Sequence, residues 1–160
     1  MNLFIDDHRL VLEKLIEKGV DFILIGGYAV NYHGYNRTTA DMDVWIKPDN
    51  ENKLLLAEAL STLNFREEDI AIIRTWDFEK PQKFTVFPEP FYAEFMTHIS
   101  GIKYPEAKSL VIQAEIDGIT LPIIHLNSLL QNKKATGRKK DLADVEYLER
   151  IMEIRNKRMR

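Results

Sequence analysis

Leu24-Ile25-Gly26-Gly27-Tyr28, followed after a short interval by Thr39-Ala40-Asp41-Met42-Asp43-Val44, is the stretch that decides the fold. The run Phe22-Ile23-Leu24-Ile25 is short, apolar and closed by two glycines, which reads as a buried strand. Tyr28 to His33 then makes a short helix ending at Gly34, and Met42 to Ile46 makes a second strand closed by Pro48-Asp49. A strand that runs into small residues and then a helix aims backbone N–H groups and the positive helix end at one spot. That arrangement suits a phosphate, which glycine lets come close to the backbone. The competing reading of Gly26-Gly27 is a plain turn.

Asp41 and Asp43 stand two residues apart on a strand, so their carboxylates share one face. Two like charges side by side call for a cation between them. Oxygen donors without His or Cys favour Mg²⁺ or Mn²⁺. Two solvated carboxylates are the alternative, but the apolar flank Val44-Trp45-Ile46 argues against a casually exposed edge. A third acid, Glu94, is the only charged residue in the apolar stretch Phe91 to Met96. A carboxylate there costs free energy unless it is metal-bound, paired with a cation such as Lys83, or turned to water at an edge.

Outward from this stretch the chain alternates helices and strands. Asp6-Asp7 offers an N-cap to a first helix that carries Leu12, Leu15 and Ile16 and stops at Gly19. Residues 50–62 read as a helix. Ile70 to Ile73, Lys83 to Phe87 and Phe91 to Thr97 read as strands. Ser109 to Ile116 and Ile119 to Ile124 flank Asp117-Gly118, a two-residue hairpin turn. Helices over 126–134 and 138–155 close the chain, the second with Leu142, Val145, Leu148 and Ile151/Met152 on one apolar face. Interspersed helices with plain hairpins predict an α+β fold, a mixed sheet packed by helices, rather than a doubly wound parallel one.

The pattern apolar-Gly-Gly, thirteen residues, then Asp-x-Asp resembles that of the polymerase-β-like nucleotidyltransferase superfamily. Within it, Gly26-Gly27-Tyr28-Ala29, His33-Gly34 and Arg37-Thr38-Thr39-Ala40-Asp41-Met42-Asp43 look like the small stand-alone bacterial type, the minimal nucleotidyltransferases and abortive-infection toxins. Lys133-Lys134-Ala135-Thr136-Gly137-Arg138-Lys139-Lys140-Asp141-Leu142-Ala143-Asp144 resembles their closing helix. The resemblance covers roughly residues 8–150. It implies a mixed sheet carrying the acids and flanked by helices, and transfer of a nucleoside monophosphate from an NTP to a hydroxyl with release of pyrophosphate. It places Asp41, Asp43 and Glu94 as catalytic acids and ligands of Mg²⁺ or Mn²⁺, Glu94 serving a second metal or acting as base. Glu94 is a departure, since Asp is common there. Nucleotide contacts fall on Gly26, Gly27, Arg37, Thr39, Lys133 and Arg138. Arg138 has an alternative as a surface partner of Asp141 or Asp144. The acceptor hydroxyl belongs to RNA, protein or a small molecule, and a cognate toxin–antitoxin partner fits the small size. The alternative is a catalytically degenerate nucleotide- or partner-binding module on the same fold.

Composition agrees. The 160 residues suit one domain over 1–160, and 45% hydrophobic with 29% charged residues is ordinary for a globular chain. Without cysteine there is no disulfide, thiolate metal site or cysteine nucleophile. With no apolar run of membrane-spanning length and no signal-like N-terminus, a cytoplasmic protein without membrane contact is expected. The net charge of −3 is uneven, because residues 131–160 carry ten Lys or Arg against five Asp or Glu. That points to an anionic partner near this end or to a solvated basic helix. His33, His98 and His125 read as packing or capping residues. Tyr28, Tyr32 and Tyr35 either stack on a base or belong to the core and surface.

Overall fold

The computed structural model describes residues 3–159. Met1, Asn2 and Arg160 of the expected 1–160 domain lie outside the described residues. The elements run α1 (Asp6–Glu17), β1 (Phe22–Ile25), α2 (Gly26–Tyr32), β2 (Met42–Ile46), α3 (Asn50–Ser61), α4 (Glu67–Thr75), β3 (Lys83–Val86), β4 (Ala93–Met96), α5 (Tyr104–Leu110), β5 (Ile112–Ile116), β6 (Ile119–Ile123), α6 (Leu126–Thr136) and α7 (Lys139–Arg158). The six strands form one sheet in the order β3-β4-β2-β1-β6-β5. β1 pairs antiparallel with β2 and parallel with β6, while β2 pairs parallel with β4, so the sheet is mixed. The fold is therefore the expected α+β one, a mixed sheet flanked by helices.

The unbroken apolar run of β1 follows from its central place, where both faces are covered. Phe22 and Leu24 face a core with α1, α3 and α4, whereas Ile23 and Ile25 face a second core with α2, α5, α6 and α7. Trp45 of β2 joins the second core. At the sheet's far edge Asp117 and Gly118 both take positive φ (53° and 82°), which a two-residue hairpin turn demands.

Five expectations need correction. Ile70 to Ile73 lies in a helix, α4. Ile70 and Ile73 are buried at i, i+3 while Ile72 is exposed, and Glu67, Glu68 and Asp69 favour the helix N-terminus. The strand expected from Ser109 begins only at Ile112, because Tyr104–Leu110 forms α5 with Pro105 in its first turn. Gly26 and Gly27 are the first turn of α2 rather than a break before it. In α7, Leu142 is 47% exposed, and the inward positions beside it belong to Asp141 and Asp144. In addition, Asp6-Asp7 occupies the first turn of α1 and Ile5 is the N-cap. No helix among the described residues is long and apolar enough to cross a membrane.

Candidate active site

The site is built by strand register. β1 and β2 pair Ile25 with Asp43, and the parallel pairing of β2 with β4 sets Asp43 against Glu94. Registered neighbours project to one face, on strands about 4.8 Å apart. Asp41, two residues before Asp43, lies on the same side. Gly26 sits against the acids with φ +67°, and a Cβ there would overlap the Asp43 carboxylate. A Cβ on Gly27 would overlap the side chain of Thr39, whose hydroxyl donates to the Asp41 carbonyl at 3.2 Å. The two glycines are thus required by close approach to the Asp-x-Asp strand.

An open cleft of about 710 Å³ lies over this row. Gly26, Gly27, Arg37, Thr39, Asp41, Asp43, Glu94, Lys133 and Arg138 all line it. Asp43 is pushed up to about 7, first by burial and then by the charges of Asp41 and Glu94, against the opposing pull of Lys133 and Lys140. Glu94 pairs with Lys83 at 3.1 Å, the alternative the sequence allowed, and it faces the cleft as well. Among the described residues no three His, Cys, Asp or Glu side chains gather closely enough to enclose an ion by themselves. Mg²⁺ does not require that, since it is commonly held by one or two carboxylates with phosphate and water completing its shell. A buried, charge-crowded aspartate beside a second carboxylate, with oxygen donors only, fits such an ion.

The closing helices bring an ion-pair network to the rim. Lys133 is buried, its ammonium 3.0 Å from Asp141 and 2.9 Å from Asp144. The Arg37 guanidinium grips Asp144 at 3.0 Å through two nitrogens. Arg138 reaches Asp141 at 2.8 Å from a largely exposed position, and the Thr136 hydroxyl donates to the same carboxylate at 2.6 Å. Burial raises Asp141, but hydrogen bonds from Thr136 and Lys133 outweigh it and hold its carboxyl below the usual range. The three expected phosphate-binding cations therefore face the cleft already engaged by carboxylates, and Lys133 is the most deeply held.

Sequence reasoning missed three residues. Lys140 is exposed on the cleft and acts on Asp43, hidden within the basic run before Asp141. Tyr92, two residues before Glu94 on the same face, lines the cleft, and the charge of Asp41 is the first cause of its raised phenol. Extending the i, i+2 spacing that grouped Asp41 with Asp43 back from Glu94 would have found it. His8 is fully buried, with its ring nitrogens 2.7 Å from the Tyr28 hydroxyl and 2.9 Å from the Phe91 carbonyl, so it ties α1 to the approach of β4. The other histidines divide. His33 bonds the Ile124 carbonyl at 2.8 Å and His125 caps α6, whereas His98 is exposed at the cleft. Tyr28 belongs to the core, and Tyr35 stacks on Tyr147 at 4.2 Å. The basic C-terminal segment is split as well. Its first part lines the cleft, while Arg155, Lys157 and Arg158 end a 20-residue helix, about 28 Å from its start at 1.5 Å per residue.

Residues 5–160 match the model of a family described as nucleotidyl transferase of unknown function (DUF2204). Two solved structures are similar. The lincosamide antibiotic adenylyltransferase LnuA, with lincomycin bound, has a TM-score of 0.58 at 14% identity, with 94% of this chain and 99% of that one covered. A Thermotoga maritima protein, TM1012, assigned to the nucleotidyltransferases has a TM-score of 0.56 at 16% identity, with 94% and 91% covered. At these identities the likeness is one of fold. No curated protein matches the sequence.

Proposed function

The chain belongs to the DUF2204 family of nucleotidyl transferases, and from its cleft we propose that it moves a nucleoside monophosphate from an NTP to an acceptor hydroxyl, with Mg²⁺ or Mn²⁺, as a single domain. The observation that carries this reading is the row Asp41, Asp43 and Glu94 in one cleft, with Asp43 raised to about 7 by burial and its acidic neighbours. A buried aspartate crowded by two further carboxylates suits a cation.

Asp41 and Asp43 would hold the metal, which when bound would neutralise phosphate oxygens and favour the ionised acceptor hydroxyl. Glu94, held by Lys83 at 3.1 Å, is poised to serve a second metal or to take the hydroxyl proton. Gly26, Gly27 and Thr39 line the cleft where the triphosphate would lie, the glycines letting the Asp-x-Asp strand approach closely. Arg37, Lys133, Arg138 and Lys140 supply positive charge, Arg138 and Lys140 from exposed positions free to move toward phosphate. The acceptor is a hydroxyl of RNA, protein or a small molecule.

Thermal melts with each NTP, with and without metal, test binding. Saturation at a hundredfold over Kd raises stability by about 2.7 kcal/mol. Pyrophosphate release and transfer of α-labelled NMP test the chemistry. A protein that no NTP and metal stabilise would lose this reading in favour of a degenerate module.

A further inference from the structure

A second concavity of about 690 Å³ adjoins the catalytic cleft, and His98 and Ile99 line both. Its floor is Trp45, one strand repeat beyond Asp43 on the same sheet face, about 7 Å along β2. The indole is fixed, since Nε1 donates to the Thr97 carbonyl at 3.0 Å and the ring meets Tyr104 edge-on at 5.1 Å. The wall between the two spaces is the 97–103 segment, tied to α6 by bonds from Gln131 to the Gly101 carbonyl at 2.8 Å and from Asn132 to the Ser100 carbonyl at 2.9 Å.

Resting on the transferase reading above, we propose that this groove seats the acceptor, and that the acceptor is a small, largely apolar molecule bearing a hydroxyl. The volume suits a drug-sized ligand. Among the described residues, the formal charges lining the groove are Lys103 and Glu106, which cancel, while the surplus cations line the neighbouring cleft. A polynucleotide needs cations along its phosphate track, which the groove lacks. A peptide bound by strand addition needs a free strand edge, and β2 and β4 are each paired on both sides. With its body on Trp45, the acceptor extends its hydroxyl past His98 toward Glu94. The hydroxyl oxygen bonds to the α-phosphorus, the bond from that phosphorus to the bridging oxygen breaks, pyrophosphate leaves with the electron pair, and the hydroxyl proton passes to Glu94 or solvent.

The test has two arms on the full chain. In the first, 2-phenylethanol is titrated while the Trp45 indole N–H resonance is followed, in the wild type, in Glu106→Trp, whose ring fills the groove from an exposed position, and in Leu54→Trp on an exposed face of α3. A saturable shift that Glu106→Trp abolishes and Leu54→Trp keeps is expected. No shift at Trp45 in the wild type overturns the groove. In the second, α-labelled NTPs and Mg²⁺ are offered a panel of hydroxyl-bearing alicyclic and aromatic compounds, total tRNA and casein. Label on the small molecules, reduced about tenfold in Glu106→Trp with the NTP-induced melting shift unchanged, supports the proposal. Label on tRNA or casein overturns it while the transferase reading stands. A shift at Trp45 with label in no pool and no pyrophosphate released counts against the transferase reading, and the acceptor assignment falls with it.

Discussion

Replacing Asp43 by Asn keeps the side chain's size and removes one charge from the crowded row. Asp43 titrates at about 7 instead of its ordinary 3.8. That gap makes its ionisation in the fold cost about 4 kcal/mol at 1.36 kcal/mol per pH unit. Cleft water screens part of this, leaving roughly 2–4 kcal/mol. The folded chain holds this proton more tightly than the unfolded chain. The stabilisation is therefore complete below pH 3.8 and is lost as pH rises through about 7. The variant escapes that loss, so the two proteins should melt alike near pH 4 and diverge above it. At pH 8 Asp43→Asn should melt higher by roughly 4–16 °C, if each kcal/mol is worth about 2–4 °C in a chain of this size. Mg²⁺ should raise the wild-type melting temperature at pH 8 and leave that of the variant nearly unchanged. Transfer should fall about a thousandfold, some 4 kcal/mol of barrier. Melts at pH 4, 6 and 8 decide the matter. A variant less stable than wild type at pH 8, or a difference equal at pH 4 and 8, refutes the electrostatic account of the site.

Other substitutions separate the roles around the cleft. Lys133→Ala removes the buried cation between Asp141 and Asp144, which keep Arg138 with Thr136 and Arg37 as their remaining partners, and should cost about 1–3 kcal/mol of stability by urea denaturation; an unchanged midpoint would show that the pairs contribute nothing. Lys140→Ala, at an exposed position, should keep the melting temperature and raise KM for NTP about tenfold with little change in kcat, the signature of uniform binding. Gly26→Ala meets a positive φ and the Asp43 carboxylate together, so it should lose roughly 2 kcal/mol or more and with it the metal-induced melting shift.

Much of the site was legible because its signals are local. The run Phe22 to Ile25, the strand Met42 to Ile46, the Asp117-Gly118 turn and the lone Glu94 each declare themselves within a few residues. The misses are of two kinds. The α4 and α5 segments are short, and Ile70 to Ile73 is apolar enough to pass for a strand until burial shows its three-residue spacing. The state of Lys133 depends on Asp141 and Asp144 across a helix turn and on the depth at which α7 packs, which sequence spacing does not report. The groove over Trp45 is assembled from β2, the 97–106 segment and α6, so no single stretch announces it.

The pairing of Asp43 with Glu94 closes a long crossover through α3, α4 and β3, and Arg37 is anchored only when Asp144 arrives. On the ribosome the glycines and both aspartates emerge before β4 and β6, on a β1-α2-β2 unit whose parallel neighbours do not yet exist. Glu94 follows some fifty residues later and the basic rim later still. The acidic row and the Arg37 clamp therefore come together only once β4 and α7 are both in place, and truncation before α7 should leave a product without the Arg37 clamp. The slowest step in maturation is expected to be this non-local closure, because its loop entropy is lost before any contact repays it.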